Sequence, residues 1–254
     1  MQSCQRFRDI SLSERILNTL FLLSIGLGYL FSLGQVYFSH QGRDGRPGVS
    51  IADIAIAYHG DPDQTRLATA IKGPMAANLK SPEDKSVILD WIDSGANRQV
   101  YETRVAPILQ RDCLGCHAPE SGLNVPPLTS YEQVAGLTEA DHGASIPSLV
   151  RVSHIHMFGI AFILYFVGRI FVLCDMPVWL KRLTIGIPFL SMLIDVLAWY
   201  LTRETPGFAY LLVFSGALLG LSLNFQVLLS LYQMWFCNLS LVSPCWNQPG
   251  GKWR

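Results

Sequence analysis

The sequence predicts an all-α protein in two parts, a four-helix transmembrane bundle and a small helical polar domain. Three observations carry this reading. Four apolar stretches are long enough to cross a bilayer, a polar segment of domain size lies between the first and second, and the composition is tilted towards lipid. Of the 254 residues, 50% are hydrophobic and only 15% charged, with a mean hydropathy of +0.30. Soluble domains carry about 25% charged residues. The formal net charge is zero, so the basic excess of a nucleic-acid binder is missing and no nucleic-acid partner is expected.

Taken in chain order, residues 1–15 form a short tail with Arg6, Arg8 and Arg15. The first apolar stretch covers residues 16–38, beyond the length of about 20 residues that a bilayer requires. It is longer than the apolar core of a cleaved signal peptide, and no small-x-small cleavage site follows Phe38. It reads as an uncleaved signal anchor. Residues 40–150 are rich in Pro, Gly, Asp and Lys and read as one folded domain, with Gln41-Gly42-Arg43-Asp44 as its linker. Three further spans are expected at residues 155–174, 183–201 and 208–236, within a membrane region of 155–236, followed by a tail of 237–254.

Orientation follows from the placement of Lys and Arg. The N-terminal arginines, Lys181 and Arg182 between the second and third spans, and Lys252 and Arg254 at the end all fall on one side. The positive-inside rule makes that side cytoplasmic and places residues 40–150 outside. Trp179, Trp199, Tyr200 and Trp235 lie near span ends, as an aromatic belt would place them. The expected location is a bacterial inner membrane, multi-pass, with the polar domain in the periplasm.

Six cysteines are too few and too scattered for a disulfide framework. Cys4, Cys174, Cys237 and Cys245 read as free thiols. Cys113 and Cys116 stand in Cys-Leu-Gly-Cys-His, the c-type haem attachment pattern. Two thiols add to the haem vinyl groups, and the imidazole of His117 then falls beneath the iron as proximal ligand. Zinc would need a second pair of Cys or His ligands at similar spacing, and none follows in the domain. A thioredoxin-like motif would need an alternating strand and helix pattern around it, which is absent. One covalent haem c is therefore expected.

The segment Val105-Ala106-Pro107-Ile108-Leu109-Gln110-Arg111-Asp112-Cys113-Leu114-Gly115-Cys116-His117 closely resembles the haem-binding start of class I cytochrome c domains. Leu128-Thr129-Ser130-Tyr131-Glu132-Gln133-Val134 is similar to the stretch that follows the haem in that family. The half of the family that supplies a methionine ligand normally comes later in the chain. Here Ile71-Lys72-Gly73-Pro74-Met75, then Ser81-Pro82-Glu83-Asp84 and Val87-Ile88-Leu89-Asp90-Trp91-Ile92-Asp93-Ser94-Gly95-Ala96, resemble that half placed first. The resemblance implies a cytochrome c-like domain with permuted halves, covering roughly residues 51–150, and makes Met75 the distal iron ligand. Permutation is tolerable because domain termini usually lie close together at the surface.

Competing distal ligands are His154 and His156 at the outer mouth of the second span. Two residues apart on a helix, they point about 200° from one another and cannot share one iron. His40 at the end of the first span could join one of them around a metal or a b-type haem, while His59 and His142 read as surface residues. Within the spans, Arg169 is placed to snorkel inward, and Asp195 needs a partner, which Arg169, Asn224, Gln226 or another subunit could supply. No histidine lies deep within a span, which argues against a transmembrane haem stack. The expected function is electron transfer at the outer face, with other redox subunits or a soluble electron carrier as partners and no catalysis by the chain itself. One alternative is a quinol-oxidising subunit using His154, His156 and Asp195. The other is a haem-based sensor or structural subunit.

Overall fold

The computed structural model describes residues 6–123 and 125–236. Cys4, Cys237, Cys245, Lys252 and Arg254, with the expectations attached to them, lie outside the described residues. Among the described residues the regular structure is nearly all helical, and the chain divides into two compact units.

Among the described residues, the first unit comprises residues 6–33, Val150–Ala198 and residues 210–236. Its elements come from α1 (Leu12–His40), α9 (Ile146–Phe171), α10 (Val178–Glu204) and α11 (Ala209–Phe236). All four helices are long and apolar enough to cross a membrane. The α9 helix starts nine residues before the expected span. Pro147 is the second residue of that helix, where its missing N–H costs nothing, and Ser145 Oγ accepts from the Ser148 N–H at 3.4 Å. Hydropathy alone does not register this polar first turn.

Outward-facing apolar residues such as Leu20, Phe31, Phe162 and Leu228 are more than half exposed, as a lipid-facing surface requires. The interior holds Leu22, Leu164, Val167, Phe171, Met192, Leu223 and Val227. Between α10 and α11 the packing turns polar. Pro188, inside α10, has no N–H to give the Thr184 carbonyl four residues back. The Gln226 Nε2 of α11 donates to that carbonyl at 2.7 Å, so one helix supplies the bond that the other lacks. Asp195 accepts from Ser215 Oγ at 3.1 Å, and a Cβ at Gly216 would stand 3.4 Å from the same carboxylate, in ordinary contact. Asn224 donates to its own helix at Gly220 O. Arg169 is exposed in the last turn of α9, where snorkelling is open to it. After α9, Asp175 pairs with Arg6 at 2.8 Å, and its backbone N–H and C=O both bond the Gln233 side chain.

The second unit comprises Gly34–Leu149 and Trp199–Ala209. Its elements are α2 (Ile51–His59), β1 (Asp61–Thr65), α3 (Arg66–Lys72), α4 (Pro82–Asp93), α5 (Arg98–Val100), a π-helical turn (Tyr101–Val105), α6 (Ala106–Asp112), α7 (Leu114–His117), α8 (Tyr131–Ala135) and β2 (Ala140–Asp141). The two short strands pair antiparallel, Asp61 with Asp141 and Thr65 with Ala140. This small sheet is a departure from a purely helical expectation. It is anchored by Gly60 and Gly143, both at positive φ, whose backbones approach too closely for any Cβ.

Residues 41–44, expected to be a linker, are instead packed. The 1% exposed carboxylate of Asp53 accepts from the backbone N–H of Asp44 and of Ser50, both at 2.8 Å. The loop then lies so close to Gly73 that a Cβ there would meet the Arg43 nitrogen at 3.0 Å. His59 is also tied down rather than free on the surface, its Nδ1 lying 2.8 Å from the Arg203 carbonyl. His142 is exposed.

The core of this unit joins both sequence halves. Leu67, Ile71, Ile88, Trp91 and Ile92 from the first pack with Tyr101, Val105, Ile108, Leu109, Leu128 and Val134 from the second. Ring contacts run from Trp91 to Tyr101 at 5.7 Å and on to Tyr131 at 5.4 Å. The turn that joins the halves is secured at Ala96 and Asn97. Tyr131 Oη donates to the Ala96 carbonyl and Trp91 Nε1 to the Asn97 carbonyl, each at 2.9 Å.

Candidate functional site

Cys113, Cys116 and His117 occupy one tight helical turn that continues α6. The N–H groups of Cys116 and His117 both donate to the Cys113 carbonyl, at 3.1 and 2.9 Å. Pro107 directly follows the π-helical turn Tyr101–Val105, and buried Ile108 and Leu109 fix the face on which the motif emerges. Both cysteines are free thiols, Cys116 exposed and Cys113 partly buried at the edge of the core. Burial holds the Cys113 thiol above its ordinary value, with Asp112 and Cys116 adding to the effect. A thiol–disulfide exchange site needs the opposite shift.

His117 is oriented by two contacts. Its Nδ1 lies 2.7 Å from the Pro126 carbonyl, and its own carbonyl accepts the Leu128 N–H at 3.1 Å. A carbonyl can only accept, so Nδ1 carries the proton and Nε2 is left as the lone-pair donor. This is the outer-shell pattern that prepares a histidine for a metal. The same segment leaves Leu123 56% exposed and Val125 39% exposed, apolar surface beside the histidine turn.

Met75 sits in the loop between α3 and α4. Its N–H donates to the Ala70 carbonyl at 2.9 Å, and Asn78 Nδ2 approaches its sulfur at 3.9 Å. The side chain is half-buried against the core that also borders Cys113 and Leu114. Met75 and the Cys113–His117 turn therefore belong to one compact unit.

His154 and His156 belong to the bundle unit. Both lie within α9 rather than ahead of a span. His156 Nδ1 lies 3.1 Å from the Val152 carbonyl of its own helix, and His154 meets Phe158 edge-on at 5.3 Å. His40 likewise bonds its own helix, with Nδ1 2.8 Å from Val36 O, and stacks on Tyr58. Among the described residues, no group of three or more His, Cys, Asp or Glu side chains forms a metal site.

Sequence reasoning missed the role of Asp112. Its side chain is fully enclosed, accepting from Arg111 Nε at 2.8 Å, Arg111 Nη2 at 2.7 Å and the Lys80 N–H at 3.2 Å. Arg111 beside it lowers the carboxyl to about 2. Arg111 also reaches Asp84 at 2.5 Å. The readable signal was an acid at the last position of a helix, the wrong end for the helix dipole.

Comparison with known proteins gives one finding. A family model described as a transmembrane helical domain matches residues 137–240, which take in α9, α10 and α11. No curated protein and no solved structure matches the chain. The match and the four membrane-length helices agree on a multi-pass membrane protein.

Proposed function

We propose that the chain is a membrane-anchored monohaem c-type cytochrome that transfers electrons at the periplasmic face of a bacterial inner membrane, within a larger redox assembly or with a soluble carrier. The single observation that carries the reading is the Cys113–His117 turn, with two free thiols and a histidine whose Nδ1 is engaged by the Pro126 carbonyl. This donor set fits a covalently held haem, with Cys113 and Cys116 as the thioether residues and His117 Nε2 as the proximal ligand. The exposed Leu123 and Val125 suit an apolar macrocycle. The haem, when bound, supplies one-electron chemistry, while the chain fixes ligand orientation, burial and docking.

Support for a permuted cytochrome c-like domain comes from the common core. The helix bearing Trp91 and the helical turns bearing Tyr101 and Ile108 share one core, in the reverse of the order expected from the resemblance. Met75 borders that core, which favours it as distal ligand over His154 or His156. Thioether is a soft ligand that favours the ferrous state, so Met/His ligation gives a higher potential than a pair of histidines.

The test is covalent attachment. In the wild-type chain a haem-stained band should survive denaturing electrophoresis, and a Cys113→Ala/Cys116→Ala double variant should lose it. A full-strength band in that variant would remove the basis of the proposal.

A further inference from the structure

We infer that Asp112 is a positioning residue that ties the Met75 loop to the turn carrying Cys113 and His117, an inference that rests on Met75 as distal ligand. Asp112 is the residue immediately before Cys113. Its enclosed carboxylate takes the backbone N–H of Lys80, five positions after Met75 and 32 residues away in sequence. Arg111, held by the same carboxylate, extends to Asp84 in the first turn of α4. Both residues that bracket the Met75 loop on its α4 side are thus bonded to residues 111 and 112.

On the other side the loop is fixed by α3, where Gly73 donates to Thr69 O and Met75 to Ala70 O. Gly73 is also closely covered by the 41–43 backbone. Asp112 is consequently the group that decides how far the α4 end of the loop can retreat.

The residue type matters. A carboxylate accepts from several donors at once, whereas an Asn at this place has one oxygen for two kinds of donor and must turn its own NH₂ towards one of them. The position also argues for a dedicated role. An acid at the C-terminal end of α6 opposes the helix dipole, and here it is held by Arg111 and by the backbone N–H of Lys80.

The experiment uses the full-length, haem-loaded protein in mild detergent and titrates the ferric form with exogenous imidazole, which competes with Met75 for iron. Asp112→Asn should raise imidazole affinity about tenfold, the scale of losing one charge-assisted hydrogen bond. It should also weaken the red thioether-to-iron absorption without changing haem staining or helical content. Lys80→Ala, which keeps the backbone N–H, should match wild type. In a Met75→Ala background, Asp112→Asn should have no further effect on imidazole affinity. Wild-type affinity in Asp112→Asn, with a changed spectrum in Met75→Ala, would overturn the clamp while leaving the ligand assignment standing. An unchanged spectrum in Met75→Ala would instead overturn the ligand assignment. Should Asp112→Asn fail to accumulate, Asp84→Asn loosens Arg111 alone. A rise in imidazole affinity of about two- to threefold would then support the clamp, and no rise would refute it.

Discussion

The Gln226 side chain of α11 completes the hydrogen bonding of a carbonyl that Pro188 leaves open on α10, and this can be measured. Replacing Gln226 with Leu removes the 2.7 Å bond to Thr184 O. In a membrane such side-chain bonds contribute about 0.6 kcal/mol on average and about 1–2 kcal/mol at best. The same change also deletes Gln226 Oε1, which is buried and has no hydrogen-bond partner among the described residues. Losing that acceptor relieves a penalty of roughly 1–3 kcal/mol. The single variant is therefore a poor gauge, because two terms of similar size oppose one another.

A double-mutant cycle isolates the relevant one. Pro188→Ala restores an N–H that can reach Thr184 O within α10, making Gln226 redundant for that carbonyl. Gln226→Leu should be more destabilising in the wild-type background than in the Pro188→Ala background by about 1–2 kcal/mol, inside the usual range for residues that share a partner. Reversible unfolding of the bicelle-solubilised protein, followed by helical signal or by steric trapping, would provide the four free energies. Equal effects of Gln226→Leu in the two backgrounds, within about 0.3 kcal/mol, would refute the complementation.

Two further outcomes are expected. The Lys and Arg asymmetry predicts that protease added to spheroplasts cleaves within residues 40–150 and spares the Lys181-Arg182 turn; protection of the polar unit would mean the opposite orientation. Asp112 has a folded value of about 2 against an ordinary 3.8. Its contribution to the stability of the polar unit is thus complete above the ordinary value and lost as pH falls through about 2. The difference in protease resistance between wild type and Asp112→Asn should hold from neutral pH down to about 4 and close below it, and a gap that persists at pH 2 would contradict the assignment.

The spans were legible because lipid imposes one requirement, a long apolar helix, that composition displays directly. Their polar ends were not. The first turns of α9 are specified by Ser145 and Pro147, local capping chemistry that a hydropathy window averages away. Spacing alone singled out Cys113, Cys116 and His117, but not the partner of His117, since Pro126 reaches it only through the folding of an irregular loop. Asp195 was foreseen to need a partner, but Ser215 was not named, because a serine in an apolar run carries no signature until the facing helix is in place. Likewise the packing of residues 41–44 on Gly73 depends on backbone approach between segments 30 residues apart, which Gly-rich composition renders as a flexible linker.

Residues 34–149, the larger segment of the polar unit, form a closed loop in the chain. It is entered from α1 and left through α9, two helices that pack in the same bundle core, with Phe21 against Phe166 at 6.1 Å. Unfolding the unit therefore does not release a free polymer. Its ends stay pinned, and the entropy available to the unfolded segment is reduced much as a cross-link would reduce it, by roughly 4–5 kcal/mol for a loop of about 100 residues. The same residues cut free of the membrane helices would forfeit that advantage without losing a single contact of their core.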